Sequence, residues 1–296
     1  MKLRGVYVAL ATPFTPEGEL DVPGLDRLID SVLRAGAHGL VPCGTTGESP
    51  VLSREERRQV ISLAVERGRS VGVEVIAGAG SYATAAAQEL IAEAEELGCD
   101  GTLIVTPYYN KPTAAGVVAH YEKLADTARK PLVLYHVPGR TQVSLPLESV
   151  RRLFAHPNIA GIKEASGNYS YWLGLAQIAR DTGKAVMAGD DDAVAIQQAF
   201  GAQGVISASA NVVPEAYVHL HQLMESGDWK AAFDLQLRLV PLVRALFQET
   251  NPAPTKYLLS KKLGLANHLR LPLVPVSDAC ADALEKAWDG FHSEAR

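Results

Sequence analysis

The chain has 296 residues, of which 47% are hydrophobic and 21% charged, and it carries a formal net charge of −5. It is too apolar for a disordered chain, and its three cysteines are too few for a disulfide scaffold. The acidic balance, without a block of Lys or Arg, argues against nucleic acid or a membrane surface as a partner. No apolar run approaches the roughly 18 residues of a transmembrane helix, and the cysteines lie far apart. We therefore expect a cytoplasmic protein.

Eight short apolar runs recur at fairly even spacing along the first 210 residues. None alternates strictly between apolar and polar residues, which is typical of strands that are buried on both faces of a parallel sheet. The predicted strands cover residues 6–11, 39–43, 73–77, 101–106, 131–137, 159–162, 185–188 and 204–207.

Segments with helical periodicity lie between these runs. Residues 25–33, for example, place apolar side chains at the i, i+3, i+4 spacing of an amphipathic helix. Asp21, Ser53 and Ser170 precede such segments and are predicted to be N-caps. Ser53 and Glu56 have the spacing of a capping box, in which each side chain bonds the backbone N–H of the other residue.

Eight strand–helix units within about 225 residues predict a (β/α)8 TIM barrel in the α/β class. A doubly wound open sheet is the rival fold, but eight units of nearly equal length favour closure. We assign residues 1–224 to a catalytic barrel and residues 225–296 to a C-terminal helical domain. The second segment has no strand signal and contains three predicted helices, at residues 228–248, 254–263 and 277–291.

Lys163 is the most informative polar residue, because it directly follows the apolar run 159–162 at the end of a predicted strand. The active sites of such barrels lie at the carboxyl ends of the strands. An amine that is withdrawn from water loses its charge more easily and becomes a nucleophile toward carbonyl groups. We therefore predict a Schiff-base lysine. The structural alternatives are an ion pair with Glu164 or a side chain that extends to solvent.

Polar groups at other strand ends suit the same chemistry. Tyr135 ends the fifth strand and is a candidate proton donor and acceptor, although a packed aromatic residue is the alternative. Thr45 and Thr46 lie between glycines, where backbone N–H groups and hydroxyls can bind a small carboxylate, or simply cap a tight turn. Arg140 is a candidate clamp for a second carboxylate, or a solvated loop residue.

Other chemistries fit the strand ends less well. A zinc aldolase needs clustered ligands, and among the histidines His136 alone ends a predicted strand. Residues 78–83 match a dinucleotide fingerprint, but the next strand ends at Thr106, without the acidic residue that would hold a ribose. Three aspartates at residues 190–192 follow the seventh strand, where many barrels bind phosphate, and they would repel it. Cys43 has no base placed by the sequence to activate it. We therefore expect a small unphosphorylated keto acid as substrate.

Seven motifs, taken in order, resemble those of the dihydrodipicolinate synthase and N-acetylneuraminate lyase family of class I aldolases, and they extend over most of the chain. The second threonine of the first motif, the arginine of the third and the last motif as a whole resemble the synthase branch. The motifs are GTTGES (44–49), TPYYNKP (106–112), YHVPGRT (135–141), GIKEASGN (161–168), GDD (189–191), GVIS (204–207) and NPAPTK (251–256).

This resemblance implies a condensation of pyruvate with L-aspartate 4-semialdehyde through a Schiff base, in the biosynthesis of lysine and diaminopimelate. Lys163 would form the imine with pyruvate, and Tyr135 would be the general acid and base. Thr45, Tyr109 and Tyr135 would form a relay of hydroxyl groups that moves protons. Thr45 and Thr46 would hold the carboxylate of pyruvate.

The resemblance also implies the rest of the pocket and the assembly. Arg140 would bind the carboxylate of the aldehyde substrate, Ile206 would line the pocket through its backbone, and Gly189 would leave room for the adduct. The family needs no metal and no organic cofactor. Its members are typically homotetramers, arranged as dimers of dimers, and Tyr109 would reach into the site of a neighbouring subunit.

Two positions close to Arg140 depart from the family pattern. His136 replaces the usual Asn after the catalytic tyrosine, and Gln142 replaces the usual Gly. The aldehyde partner is therefore less well defined than pyruvate. The alternative is another pyruvate-dependent aldol cleavage, of a sialic acid, a 2-keto-3-deoxy sugar acid or a 4-hydroxy-2-oxo acid. A non-catalytic pyruvate-binding barrel is a third hypothesis, which the joint presence of Lys163, Tyr135 and Thr45 disfavours.

The residues that would line an inhibitory lysine site also differ. In members that lysine inhibits, an acid and histidines line a cleft at a dimer interface. The corresponding positions here are Ala86, Arg54 and Arg57, with Tyr82 nearby. Because an arginine cluster without the acid would bind an ammonium group poorly, we expect little or no feedback inhibition by lysine.

Overall fold

The closed barrel predicted from the sequence is confirmed. The computed structural model describes residues 1–293, and within them eight parallel strands pair in chain order, with the last strand pairing with the first. The strands are β1 (Gly5–Ala9), β2 (Gly39–Val41), β3 (Glu74–Gly78), β4 (Gly101–Val105), β5 (Leu132–His136), β6 (Ile159–Glu164), β7 (Ala185–Ala188) and β8 (Gly204–Ser207).

Helices follow each strand and surround the barrel, and three more come after the last unit. The helices are α1 (Val22–Arg34), α2 (Arg54–Val71), α3 (Thr84–Glu96), α4 (Ala114–Thr127), α5 (Pro138–Thr141), α6 (Leu147–Phe154), α7 (Tyr169–Thr182), α8 (Val194–Ala199), α9 (Pro214–Ser226), α10 (Trp229–Leu246), α11 (Ala253–Leu263) and α12 (Asp278–Ser293). Short 3₁₀ turns lie at Ser49–Val51 and Ser209–Asn211.

The strands are buried on both faces, as the continuous apolar runs predicted. Because successive side chains point to opposite sides of a strand, one set fills the barrel interior and the other packs under the helices. The interior set includes Tyr7, Val41, Ile76, Leu103, Val133, Tyr135, Met187 and Ile206. A polar side chain on the interior set therefore faces a closed, apolar space.

Local capping signals were only partly correct. The side chain of Asp21 accepts a bond from the N–H of Gly24, and Ser53 and Glu56 form the predicted capping box. The prediction for Ser170 was wrong, because Asn168 is the N-cap of α7 and accepts from the N–H of Tyr171 at 3.1 Å. Asn168 follows a glycine with positive φ, and this turn starts the helix two residues earlier than predicted.

The three predicted C-terminal helices are observed as α10, α11 and α12. Their buried residues, such as Leu242, Leu258 and Leu284, belong to the same hydrophobic cluster as strand and helix residues of the barrel. The division into a barrel of residues 1–224 and a second domain of residues 225–296 stays a prediction, and residues 294–296 lie outside the described part of the chain. None of the helices in the described part is long and apolar enough to cross a membrane.

Candidate active site

A small cavity of about 50 Å³ lies at the carboxyl ends of the barrel strands. It brings together six of the eight residues that the sequence nominated as a site. These are Thr45, Thr46, Tyr135, Arg140, Lys163 and Gly189. The cavity has room for a molecule of only a few heavy atoms, since one water needs about 10–15 Å³ of such volume.

Lys163 lies on β6 and is 7% exposed. β5 and β6 pair so that Lys163 is opposite Tyr135, and the Nζ atom lies 4.5 Å from the centroid of the tyrosine ring. Within residues 1–293 the Nζ atom has neither a hydrogen bond nor a salt bridge. An amine that lies over a phenol ring and has no hydrogen-bonded partner is available to attack a carbonyl group.

The ion pair between Lys163 and Glu164 that the sequence left open is not formed. Glu164 is the next residue on the strand and points to the outer face, where its Oε2 atom lies 2.6 Å from Nδ1 of His136. The backbone N–H of Leu145 donates to Nε2 of the same ring at 3.2 Å. Because Nε2 accepts, the ring carries its proton on Nδ1 and donates it to Glu164.

Thr45 and Thr46 lie in the turn between β2 and α2. This turn is tightly held, because the hydroxyl of Thr12 donates to the carbonyl oxygen of Gly47 at 2.7 Å. A Cβ atom at Gly47 would lie 3.0 Å from the carbonyl oxygen of Leu10, so the close approach of the two loops favours glycine there. Both threonines line the cavity, and Thr46 is buried.

Arg140 lies in the one-turn helix α5, which directly follows β5. The residue is exposed, and its side chain contributes to the cavity wall. Gln142 ends this helix with a φ of 56°, in the left-handed region that favours glycine. This backbone conformation explains why the family usually has glycine at this position. Gln142 adopts the same turn at some conformational cost.

Gly189 and Ile206 differ in how they relate to the cavity. Gly189 lines it, and an added Cβ atom would lie 2.6 Å from the carbonyl oxygen of Glu164, so the contact between β6 and β7 requires glycine. Ile206 is fully buried in the barrel interior and is not among the lining residues, whereas Ala208, two residues later, is. Their roles toward a ligand stay predictions.

Tyr109 is not brought to the cavity within this chain. It is 85% exposed and has a φ of 65°, on the loop that follows β4. Its neighbour Tyr108 turns inward instead and packs edge-on against Tyr82, with the ring centroids 5.6 Å apart. The relay of Thr45, Tyr109 and Tyr135 is therefore incomplete in a single chain.

Two cavity residues from the C-terminal segment were not nominated by the sequence. Phe247 at the end of α10 and Asn251 just before α11 both line the cavity. The Nδ2 atom of Asn251 donates to Oγ1 of Thr46 at 3.0 Å. Asn251 opens the NPAPTK motif, so a signal was present, but spacing alone does not show that this segment folds back over the strand ends.

The aspartates after β7 have separate environments. Asp191 is 3% exposed, and its Oδ2 atom accepts from the N–H groups of Ala208 and Ser209 at 3.1 and 2.8 Å. Its carboxylate is thus the acceptor for the backbone N–H groups that follow β8. Burial raises the pKa of Asp191. Burial also raises the pKa of Asp190, to about 6. In the described part of the chain, no three His, Cys, Asp or Glu side chains are arranged to hold a metal ion.

A second cavity of about 200 Å³ adjoins the first and shares Thr45 and Tyr135 with it. Its wall contains Arg57, which is 6% exposed and donates to the carbonyl oxygen of Gly78 at 3.1 Å. Glu93 accepts from Arg54 at 2.9 Å and is also paired with Arg57 and Arg58. One buried carboxylate therefore faces three guanidinium groups.

Known proteins share this fold and are similar in sequence over most of the length of this chain. A model of the dihydrodipicolinate synthetase family matches residues 2–289. A 4-hydroxy-tetrahydrodipicolinate synthase of Methanothrix thermoacetophila is 44% identical over 276 residues, which cover 93% of this chain and 92% of that protein. A dihydrodipicolinate synthase structure from Thermotoga maritima has a TM-score of 0.96 at 37% identity, covering 99% of both chains. One from Acinetobacter baumannii, in complex with pyruvate, has a TM-score of 0.95 at 36% identity, covering 98% of this chain and 99% of that one. The resemblance carried by the seven motifs is confirmed.

Proposed function

Because the chain belongs to the dihydrodipicolinate synthetase family, a family of enzymes of the lyase class, we propose that it acts as a 4-hydroxy-tetrahydrodipicolinate synthase. It condenses pyruvate with L-aspartate 4-semialdehyde in the biosynthesis of lysine and diaminopimelate. The single observation that carries this proposal is the position of Lys163. Its unpaired amine lies beside Tyr135, in a cavity that also contains the two threonines of the β2–α2 turn.

The reaction begins when Nζ of Lys163 attacks the keto carbon of pyruvate. The carbinolamine loses water to form an imine, and removal of a proton from the methyl carbon gives an enamine. The enamine carbon attacks the aldehyde carbon, and the aldehyde oxygen takes up a proton. The amino group of the second substrate then attacks the imine carbon and displaces Lys163, which closes the ring. Tyr135 supplies and removes protons, while Thr45 and Thr46 hold the pyruvate carboxylate.

Reductive trapping tests the covalent step. Borohydride treatment of the protein with pyruvate should add about 72 Da to Lys163, the mass of a reduced pyruvate imine. The Lys163→Ala variant should show no adduct and lose nearly all turnover, because no other amine lines the cavity within the described residues. Turnover by the wild-type protein without modification of Lys163 would contradict the proposal.

Arg140 tests the identity of the second substrate. A guanidinium at the cavity wall suits the carboxylate of aspartate semialdehyde, whereas a sugar acid would rely on neutral polar groups. Arg140→Ala should raise the KM for the aldehyde by about 10–100-fold, the effect of one charged hydrogen bond, with a much smaller change for pyruvate. Cleavage of a sialic acid at a higher kcat/KM than the condensation would favour the alternative aldolase, which the departures at His136 and Gln142 leave as the second candidate.

We also propose that the enzyme is a homotetramer that acts in the cytoplasm. The exposed Tyr109, which the proposed relay needs, supports an assembly in which a neighbouring subunit completes the site. Cys43, Cys99 and Cys280 are buried free thiols, which supports a reducing compartment. Sedimentation of the purified protein and fractionation of cells test these two points.

A further inference from the structure

Asn251 joins the C-terminal segment to the base of the cavity. Its side chain is 4% exposed and lines the cavity together with Thr46 and Lys163. Nδ2 of Asn251 lies 3.0 Å from Oγ1 of Thr46, and Oδ1 of Asn251 lies 2.9 Å from Oγ1 of Thr255. Thr46 and Thr255 are 3% and 1% exposed, so this row of three polar side chains is withheld from water.

The chemistry of the amide sets the direction of every bond in the row. An amide nitrogen only donates, so the hydroxyl oxygen of Thr46 must accept from Asn251. In the observed orientation of the amide its oxygen, which only accepts, lies against Thr255, so the hydroxyl of Thr255 donates to it. Because the oxygen of Thr46 accepts from Asn251, its own proton remains free to be donated to another acceptor.

We propose that Asn251 and Thr255 are positioning residues that make the hydroxyl of Thr46 a dedicated donor to the carboxylate of the keto acid. The inference deepens the proposed function and rests on it. A free threonine hydroxyl can turn either way and can accept as readily as it donates. With Asn251 in place, Thr255 donates to Asn251, Asn251 donates to Thr46, and Thr46 can donate its own proton into the cavity. This proton would stabilise a bound anion but not a ligand group that is itself a donor.

Asn251→Asp reverses the bond between residue 251 and Thr46 with almost no change in shape. The new carboxylate accepts instead of donating, so the hydroxyl of Thr46 turns toward it and no longer serves the ligand. We expect the KM for pyruvate to rise about tenfold or more, the loss of one hydrogen bond to a charged group, with a smaller change in kcat. Gln248→Glu is the matched control, because it adds the same charge three residues earlier at an exposed position outside the cavity, and it should leave the KM unaltered.

Four uncharged substitutions separate bond direction from charge and from folding. Thr255→Val removes the hydroxyl that is bonded to the amide oxygen, which leaves that oxygen without this partner and the amide free to turn, and should raise the KM for pyruvate. Thr255→Ser keeps the hydroxyl and should raise the KM less. In a double-mutant cycle, Asn251→Leu should add little to the effect of Thr46→Val, since both remove the same donor from the ligand. A cooperative thermal unfolding transition in each variant would show that the variant is folded.

The outcomes distinguish this inference from the proposed function. If borohydride traps pyruvate on Lys163 of the wild-type protein while Asn251→Asp has the KM of the Gln248→Glu control, the directed row is refuted and the Schiff-base chemistry stands. Additive effects of Asn251→Leu and Thr46→Val on the KM refute it as well. If the wild-type protein forms no adduct, the proposed function itself fails.

Discussion

At the residue scale, the structure explains why adjacent side chains on β6 differ in environment. Lys163 faces the barrel interior and Glu164 faces the helices, so the strand's alternation keeps the carboxylate away from the amine. On the outer face, His136 of β5 is hydrogen-bonded to Glu164. It also accepts from the backbone N–H of Leu145, in the segment that follows Arg140. Of the two positions that depart from the family pattern, His136 thus acts on the far side of the sheet from the reacting groups.

The arginine cluster around Glu93 leads to a prediction about regulation. Glu93 and Glu96 are already paired with Arg54, Arg57 and Arg58, and Arg57 reaches the wall of the 200 Å³ cavity, where its guanidinium would repel an added ammonium group. We expect millimolar L-lysine to leave the initial rate nearly unchanged and to give no binding heat in calorimetry. Ala86→Glu adds an acid at the corresponding position and should raise lysine affinity. Strong inhibition of the unaltered enzyme at sub-millimolar lysine would contradict this expectation.

Asp190 gives a pH dependence whose sign follows from its pKa. Burial raises that pKa to about 6, above the value near 3.9 of an unfolded chain, so the folded state binds the proton more tightly. The stabilisation is therefore complete below about pH 4 and is lost as the pH rises through 6. Both hydrogen bonds to Asp190 end on Oδ2, so Asn can keep them.

We expect Asp190→Asn to increase the free energy of unfolding at pH 7.5 by roughly 1–3 kcal/mol, and by less at pH 5, because the folded wild-type protein is already largely protonated there. Urea unfolding of both proteins at the two pH values measures the difference. An equal difference at pH 5 and pH 7.5 would show that Asp190 does not titrate as inferred.

At the scale of elements, α11 is tied to the β2–α2 turn by a buried ion pair between Lys256 and Glu48. The Nζ atom of Lys256 also lies 4.0 Å from the centroid of the Phe14 ring, and the guanidinium carbon of Arg270 lies 4.2 Å from the same centroid. Arg270 in turn pairs with Glu56 at the start of α2. The loops that carry the threonines are therefore held by charges that come from the C-terminal segment.

Removing one member of this pair should be more harmful than removing both. Lys256→Met leaves the carboxylate of Glu48 buried without its partner, and we expect a loss of about 3–5 kcal/mol of unfolding free energy. The double variant Lys256→Met with Glu48→Gln should recover much of that loss, because no uncompensated charge remains. Denaturant unfolding of the three proteins tests this, and equal stabilities of the single and double variants would argue against a coupled pair.

The elements also show what the sequence can and cannot predict. The eight strands follow from apolar runs because burial on both faces demands such runs, and Lys163 was recognisable because it ends one of them. Asn251 was not assigned to the site, since its contact with Thr46 joins residues about 200 positions apart and depends on how α11 folds back. Ser170 was misassigned because Asn168, two residues earlier, competes as the N-cap, and the turn at Gly167 starts the helix at Asn168 instead.

At the scale of the whole molecule, two exposed aromatic residues directly follow Ser81 and Tyr108, which line the 200 Å³ cavity. Tyr82 and Tyr109 are 56% and 85% exposed, and Tyr82 packs against Tyr108. Aromatic residues are enriched at protein interfaces, and a two-fold axis would place the same loop of each subunit against the other. If Tyr109 completes the hydroxyl relay of a neighbour, each site needs two chains.

Complementation between two inactive variants tests this assembly. The Lys163→Ala subunit retains Tyr109, and the Tyr109→Phe subunit retains Lys163. In a mixed dimer, the site of the Tyr109→Phe subunit would therefore be complete, because its partner supplies Tyr109. We expect the purified mixed oligomer to recover activity in roughly half of its sites, as a two-fold interface requires. A mixture of Lys163→Ala with Tyr135→Phe is the control and should stay inactive, because both residues belong to the same chain's cavity. Full activity of Tyr109→Phe alone would show that the reaction does not need the hydroxyl of Tyr109, and no recovery in the mixed oligomer would contradict a site shared between two chains.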